Sequence, residues 1–199
     1  MKLFGITLGE GNQKVGEVFT FSLPSIISCP GASPWCKKHC NMTRLEKFRP
    51  VCRNAYQQNY LLTKNPKKFQ ETVTGVLPRI LPCFRIHVSG DFYSKDYIES
   101  WIRICQSFPM TRFWAYTRSW IIPELKTALE AFNNLNNVFL FASTDPTMPP
   151  PPKNWRTAYL NIDNRAKGYR CPVQEGKLSS CLECGYCYHQ GGDVIFKAH

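Results

Sequence analysis

Four cysteines near the end of the chain have the spacing of an iron–sulfur site. Cys171 is followed by Pro172, and Cys181, Cys184 and Cys187 form a C-x-x-C-x-x-C run. Such a run with a remote Cys-Pro is how ferredoxin-type sites hold a [4Fe-4S] cubane cluster. Zinc is the alternative metal, although its sites more often pair two separate C-x-x-C knuckles. The spacing therefore predicts a cluster site, because ordinary buried cysteines do not crowd at this density.

A second group of cysteines lies near the start of the chain. Cys29, Cys36 and Cys40 fall in the stretch C-P-G-A-S-P-W-C-K-K-H-C, and Cys52 follows twelve residues later. Three thiolates in one loop could hold a cubane cluster and leave one iron open, whereas Cys52 as a fourth ligand would close the cluster or complete a zinc site. An open iron binds and activates a molecule, while a closed cluster transfers electrons or stabilises the fold. The loop favours three ligands, because Cys52 is predicted to lie on a helix beyond it.

The remaining cysteines and the bulk composition indicate a single reduced globular domain. Cys83 and Cys105 lie in apolar contexts and are predicted to be core residues. The chain has 199 residues, of which 43% are hydrophobic and 14% aromatic, enough for one domain with a real core. It contains no apolar run long enough to cross a membrane, so a cytoplasmic location is expected. Thiols stay reduced there, and dense cysteines then favour metal over disulfides.

Positive charge is concentrated in one quarter of the chain. Residues 37–85 contain eleven Lys and Arg against two acids, which is +9 of the total net charge of +11. Aromatic residues are interleaved with these cations, a pattern typical of nucleic-acid binding through Lys64, Lys67 and Lys68. The alternative is a solvated basic helical surface whose aromatic side chains face the core.

Alternating strand and helix patterns predict an α/β protein with parallel strands. Helices are expected over 43–64, 66–80, 94–108 and 122–132, with Ser94 as a helix cap. Strands are expected over 15–24, 83–92, 112–117, 137–145, 157–163 and 193–199. Five or six strands are too few for a closed eight-stranded barrel, so an open partial β/α barrel is predicted, with a doubly wound sheet as the alternative.

Polar groups follow the ends of the predicted strands, where parallel α/β folds collect their chemistry. Each group alone could be turn and cap chemistry. Several groups at one edge beside a cysteine loop favour a site. They are Ser89-Gly90-Asp91, Thr117-Arg118-Ser119, Ser143-Thr144-Asp145 and Asp163-Asn164-Arg165.

This order of elements resembles the radical S-adenosylmethionine enzymes, especially those with a C-terminal auxiliary cluster. The resemblance implies that Cys29, Cys36 and Cys40 hold a cluster whose open iron binds the cofactor, and that the four C-terminal cysteines hold the auxiliary cluster. His39 stands where that family usually has an aromatic residue near the adenine. Asp91 would be the catalytic residue near the amine. The other implied cofactor-binding residues are Ser89, Gly90, Thr117 and Ser143.

The chain departs from that family in the spacing of its first cysteines, which is C-x6-C-x3-C instead of C-x3-C-x2-C, and in having Asp at the Gly-acid turn. It also looks like phage- and plasmid-borne proteins that share the C-P-G-A…C…C start, the S-G-D-F centre and the C-x-x-C-x-x-C end. That second resemblance implies no activity.

Two functional hypotheses follow. The chain is expected to place the partial barrel and its cysteine loop in residues 1–165 and an iron–sulfur segment in 166–199. The first hypothesis is an iron–sulfur protein with up to two [4Fe-4S] clusters, similar to radical S-adenosylmethionine enzymes and supplied by an electron donor. The alternative is a phage or plasmid nucleic-acid-binding protein whose iron–sulfur or zinc sites are structural.

Overall fold

The computed structural model describes residues 1–3, 5–12, 14–189 and 191–198 of the chain. Its strands are β1 (Lys2–Leu3), β2 (Ile6–Thr7), β3 (Thr20–Phe21), β4 (Cys83–Ile86), β5 (Arg112–Thr117), β6 (Val138–Ser143), β7 (Arg156–Leu160), β8 (Tyr169–Arg170) and β9 (Val194–Phe196). Its α-helices are α1 (Pro34–Lys38), α2 (Asn41–Phe48), α3 (Pro50–Thr63), α4 (Pro66–Val76), α5 (Lys95–Ser107), α6 (Pro123–Asn133) and α7 (Cys181–Cys184). The predicted last strand ended at His199, which lies outside the described residues.

Within the described residues, one parallel sheet of seven strands organises the molecule. The strand order is β3-β4-β5-β6-β7-β9-β8, and every neighbouring pair is parallel. β3 and β8 form the two edges, so the sheet is open. This confirms the predicted open parallel α/β fold, but seven strands replace the predicted five or six. Residues 169–170 form an edge strand that is too short to show an alternating pattern in the sequence.

Helices cover one face of this sheet and form the main core with it. Alternate residues of the central strands point to this face, including Phe84 and Ile86 of β4 and Phe113 of β5. Helix α5 begins after Ser94, whose side chain accepts a hydrogen bond from the backbone of Tyr97, as its sequence predicts. Its apolar stripe packs on the strands, and the predicted core residue Cys105 lies within it.

The opposite face of the sheet is covered by the chain ends instead of by helices. Here Trp114 packs against Tyr188, and the buried Cys83 belongs to the same cluster. Phe141 packs against Cys171 in a neighbouring cluster. The C-terminal cysteine segment therefore folds back onto the strands of the predicted barrel.

The predicted helix over 43–64 is wrong in one respect, because it is broken at Arg49. Pro50 begins α3. Proline has no backbone N–H to donate, and its ring clashes with the preceding turn, so the helix before it ends. Helix α4 also ends at Val76, four residues before the predicted end at 80. Among the described residues, none of the helices combines the length and apolar composition needed to cross a membrane.

Candidate metal centres

The N-terminal cysteine loop lies over the carboxyl ends of the central strands. Cys29 precedes α1, Cys36 lies within it and Cys40 caps the start of α2. The loop passes so close to the end of β5 that a Cβ atom on Gly31 would lie 2.1 Å from the carbonyl oxygen of Arg118. Only glycine permits this approach. The loop is therefore pressed onto the rim of the sheet.

Ser33 ties this loop to the rim through a buried carboxylate. Its hydroxyl accepts a hydrogen bond from the backbone N–H of Cys36 at 3.0 Å, which caps α1. The same hydroxyl donates to Asp145 at 2.6 Å. Asp145 is fully buried and also pairs with the guanidinium of Arg118. A carboxylate without water needs such donors, so the loop and the end of β6 hold each other in place.

Asp91 follows β4 as Asp145 follows β6, and its carboxylate also accepts several hydrogen bonds. Its carboxylate accepts hydrogen bonds from the Thr117 hydroxyl at 2.6 Å, the Arg118 backbone at 2.8 Å and the Phe92 backbone at 2.7 Å. Burial raises the pKa of Asp91, and these donors oppose the shift. Asp91 lies near Cys29, whose pKa its charge helps to raise.

Burial raises the pKa of two thiols in the loop, Cys29 and Cys36. Burial raises the pKa of Cys29 to about 12, with further contributions from Asp91, Cys36 and Cys40. Burial also raises the pKa of Cys36, and the nearby cation of Arg118 opposes that shift. Such thiols keep their protons until a metal displaces them. The three predicted loop ligands lie in the same segment at the rim of the sheet, and their joint binding of a metal stays a prediction.

Cys52 lies apart from this group in its electrostatic surroundings. It is half-buried on α3, one helical turn before Tyr56. Burial raises the pKa of Tyr56, and the nearby Cys52 adds to that shift. Asp91, Cys36 and Cys40 are the charged groups that add to the effect of burial on Cys29. Three ligands in the loop stay a prediction.

The C-terminal cysteines surround one cavity on the sheet face opposite the helices. The cavity has a volume of about 250 Å³. All four predicted ligands line it: Cys171, Cys181, Cys184 and Cys187. Its other walls include Lys14, Arg85, Tyr116 and Ser143. Residues from the N-terminal segment, from six strands of the sheet and from the C-terminal cysteine segment thus meet at this cavity.

Local backbone geometry explains how the C-x-x-C-x-x-C run reaches the cavity. The Ser180 hydroxyl accepts a hydrogen bond from the backbone of Glu183 at 3.3 Å, which caps α7. The helix ends at Gly185, whose φ of +68° lies in the left-handed region. Glycine adopts that conformation without strain. A backbone hydrogen bond of 2.8 Å from Cys181 to Lys14 then joins the segment to the N-terminal residues.

Cations and a hydroxyl face the buried thiols of this cavity. Burial raises the pKa of Cys187 to about 11, and a hydrogen bond with Tyr116 opposes the shift. Burial also raises the pKa of Cys181, against the charges of Arg85 and Lys14. Thiolate ligands would therefore meet compensating positive charge here.

A zinc ion and an iron–sulfur cluster require different distances between their cysteine ligands. All ten cysteines are described, and each has a free thiol. Among the described residues, no three His, Cys, Asp or Glu side chains come close enough together to hold one metal ion. A zinc ion would need ligands within about 2.0–2.3 Å, so that its sulfur ligands lie roughly 4 Å apart. The part of the chain that the structure describes contains no preassembled group of that kind.

Other residues predicted from the sequence lie at the rim but already have partners. His39 stacks on Trp35 with ring centroids 4.3 Å apart, and one ring nitrogen lies 2.9 Å from the Trp35 carbonyl oxygen. The Ser89 hydroxyl donates to the buried carboxylate of Glu46 at 3.1 Å. Gly90 has a φ of +86°, and a Cβ atom there would lie 2.5 Å from the Cβ of Leu23. Ser89 and Gly90 therefore fix the turn that carries Asp91.

Ser143 and the three predicted nucleic-acid lysines lie in different parts of the structure. Ser143 lines the C-terminal cavity, away from the cysteine loop with which the resemblance grouped it. Lys64 donates to the Tyr60 hydroxyl at 2.8 Å and lies 4.1 Å from the centre of the Tyr93 ring. Lys67 and Lys68 are exposed.

Sequence reasoning missed the charged residues that serve the two cysteine sites. Arg118 and Asp145 were predicted only as members of turns, although they pair beside Cys36. Arg85 carried a usable signal, since a cation in the middle of an apolar strand needs a polar environment on one face. Lys14 carried no such signal, because its place beside Cys181 depends on a contact across most of the chain.

The residues with a described structure thus form an open α/β protein with one cysteine group at the rim of its sheet and another against the face opposite the helices. The chain belongs to the Gene product 88 family, which it matches over residues 6–190. It is 30% identical over 220 residues to the Gene 88 protein of Mycobacterium phage L5, with 94% of this chain and 89% of that protein covered. It is 29% identical over 219 residues to the Gene 88 protein of Mycobacterium phage D29, with the same coverage. No solved structure matches the chain.

These relatives bear on only one of the two resemblances. They are phage proteins, which agrees with the predicted resemblance to phage-borne proteins. Their names carry no activity, so the likeness to radical S-adenosylmethionine enzymes stays a prediction.

Proposed function

We propose that this protein binds iron–sulfur clusters, with a [4Fe-4S] cluster in the C-terminal cavity. The carrying observation is that four cysteines from one spaced motif line a single cavity of about 250 Å³ together with three cations, Lys14, Arg85 and Lys197. A cubane with four thiolates is formally about −2, and buried charge of that sign needs compensation. The C-x-x-C-x-x-C run with a remote Cys-Pro is the spacing of a cubane site, which supports a cluster over one zinc ion.

The N-terminal loop is proposed to hold a second cluster with three cysteine ligands. This choice rests on position, because Cys29, Cys36 and Cys40 lie in one segment at the rim, whereas Cys52 lies further along on α3. The fourth iron of such a cluster would be open to a ligand, for which S-adenosylmethionine is our proposal. When bound, the cluster would supply a single electron to that ligand.

In this proposal, residues that already lie at the rim of the sheet form the second site. Asp91 lies beside Cys29, and we assign it to the amine of the ligand, with Thr117 holding its carboxylate in position. The rim around it contains Arg118, Asp145 and the turn at Gly90. In this proposal the open sheet is a partial β/α barrel, with the two clusters at its rim and on its inner face.

The test is anaerobic purification followed by iron, sulfide and zinc analysis of matched cysteine variants. About eight irons per chain are expected for two cubane clusters. The C36A/C40A and C181A/C184A double variants should each lose about four of them. The matched controls are C83A and C105A, because both residues are buried in apolar clusters and should keep the full content.

Two results would contradict the proposal. Zinc without sulfide would exclude iron–sulfur clusters in both sites. Eight irons per chain with an electron paramagnetic resonance spectrum that does not respond to S-adenosylmethionine would support the two clusters. That result would exclude the proposed binding of S-adenosylmethionine. Loss of the response in C36A/C40A, with retention in C181A/C184A, would place the ligand at the N-terminal loop.

The second candidate function is nucleic-acid binding, and the exposure of cations around the cysteine loop favours it. Six Lys and Arg side chains of α1, α2, α3 and their junction are solvent-exposed, whereas Glu46 among them is buried. They are Lys37, Lys38, Arg44, Lys47, Arg49 and Arg53. Phe48 is 74% exposed in the same stretch and could stack on a base.

A fluorescence anisotropy titration with single-stranded DNA tests this alternative. Cation–phosphate contacts predict affinity that falls steeply between 50 and 200 mM salt, by about tenfold or more for several contacts. The K37Q/K38Q/R49Q variant should weaken binding and flatten that salt dependence. K67Q/K68Q is the comparison, since it removes the lysines that the sequence alone predicts. Tight binding that ignores salt, or is unchanged in both variants, would contradict the hypothesis.

A further inference from the structure

The two cysteine sites differ in the charges that surround them. At the C-terminal cavity, Lys14 and Arg85 line the walls beside the four cysteines. The chain holds both in place. Lys14 lies 5.4 Å from the centre of the Phe196 ring, and Arg85 lies 5.5 Å from the centre of the Tyr116 ring. Both cations therefore belong to the packed structure of the cavity.

Arg156 of β7 is a further cation beside the C-terminal cysteine segment. The Arg156 guanidinium donates to the carbonyl oxygens of Cys187 at 3.3 Å and His189 at 3.0 Å, and it lies 4.1 Å from the centre of the Phe141 ring. Tyr116 adds a hydroxyl beside the Cys187 thiol. No Asp or Glu lines the cavity in the described part of the chain.

The N-terminal loop has the opposite balance. Two buried carboxylates, Asp91 and Asp145, influence its thiols. The cation beside them, Arg118, is already paired with Asp145. One guanidinium and two carboxylates thus lie beside the N-terminal thiols, where solvent screens the exposed Lys37 and Lys38 of the loop. The other site has Lys14, Arg85 and Lys197 in its walls and Arg156 beside it.

We infer that the two sites have different reduction potentials, with the C-terminal site holding an electron more tightly than the N-terminal one. The inference rests on the proposed function, because it requires a cluster in each site. Reduction by a one-electron donor adds one electron to a cluster and makes it more negative by one charge, with no bond broken. Nearby cations stabilise that reduced state and carboxylates destabilise it, and cluster potentials follow such charges.

The difference sets a direction for electrons inside the protein. Tyr116 of β5 contacts the C-terminal site, and Arg118, the residue after the end of that strand, lies near the N-terminal one, so the two residues are roughly 7 Å apart. An electron delivered to either cluster would therefore come to rest at the C-terminal site. That site acts as the electron reservoir of the pair.

The experiment is a potentiometric titration of the anaerobic protein, reduced with dithionite and followed by electron paramagnetic resonance. Two reduction waves are expected, and the C36A/C40A variant assigns them by removing the N-terminal one. The C-terminal wave should lie at the higher potential. R85Q and K14Q should each change its reduced-to-oxidised ratio at a fixed potential about tenfold, which is 59 mV for a one-electron couple, and leave the other wave in place.

Controls keep the test decisive. K126Q removes an exposed cation on α6, whose side chain is 66% exposed, and should move neither wave. R85K keeps the charge and should retain the wild-type potential. Waves in the reverse order, no shift in R85Q and K14Q, or equal shifts of both waves would each overturn the inference. Protein without any reduction wave would overturn the proposed function itself, and iron analysis of the same sample separates the two outcomes.

Discussion

The substitution S33A isolates the link between the cysteine loop and the sheet. The Ser33 hydroxyl makes two contacts, as cap of α1 to the Cys36 backbone and as donor to the buried Asp145. Loss of a helix cap costs about 1 kcal/mol. Loss of a hydrogen bond to a charged group costs about 1.5–3 kcal/mol more. We therefore expect S33A to lower the free energy of unfolding by about 3 kcal/mol.

The chain offers a matched control in S180A. Ser180 caps the other short cysteine-bearing helix through a 3.3 Å contact with the Glu183 backbone, and no buried carboxylate accepts from its hydroxyl in the described residues. We expect it to cost about 1 kcal/mol or less. The difference of roughly 2 kcal/mol between the two variants measures the contact with Asp145. S33T keeps a hydroxyl and should recover most of the loss.

Urea unfolding of the anaerobically purified proteins, followed by circular dichroism, gives the required free energies. Iron analysis of the same samples shows whether S33A also releases the N-terminal cluster while S180A keeps it. Equal costs for S33A and S180A, within about 0.5 kcal/mol, would refute the idea that Asp145 anchors the loop. So would an S33T variant as unstable as S33A.

Three further predictions concern a histidine, two glycines and one cysteine. Burial lowers the pKa of His87 to about 3, so the unfolded chain alone takes up a proton as the pH falls below 6.5. The free energy of unfolding should therefore fall by about 2 kcal/mol between pH 7 and pH 5, and urea titrations of H87Q should lack that slope. G90A should cost about 3 kcal/mol in the same assay, because its φ is +86° and its new Cβ atom would overlap Leu23. G75A, in α4 with no described atom within 4 Å of a Cβ, should stabilise by about 0.5–1 kcal/mol, and a destabilised G75A would count against this use of the geometry. C52A should leave the iron content unchanged, whereas a loss of about four irons would make Cys52 a ligand.

Local patterns in the sequence predicted the fold where neighbouring residues determine the structure. Ser94 caps α5 as expected, and the strand-end groups at Asp91 and Asp145 do meet at one rim. The break at Pro50 and the short strand β8 were missed, since one is a single residue within a helical pattern and the other spans two residues. Edge strands of that length leave no periodic signal.

The sequence predicted which cysteines group together, but not which other residues surround each group. Spacing alone separates the two cysteine groups, because ligands of one cluster come from short loops. It could not place Lys14 beside Cys181, since a backbone hydrogen bond joins residues at opposite ends of the chain. It also could not show that the C-terminal segment occupies the sheet face opposite the helices. Contacts of such long range follow from packing of the whole chain and not from local periodicity.

Strand β5 makes the two cysteine sites parts of one unit. Successive side chains of a strand point to opposite faces, so Tyr116 faces the C-terminal cysteine group, while Arg118, directly after β5, lies near Cys36 of the other group. Thr117 between them points the other way and holds Asp91. A shift of β5 by one residue would exchange these faces and disturb both sites together. The close packing of Gly31 against the end of β5 opposes such a shift, because a displaced carbonyl at Arg118 would strike the cysteine loop.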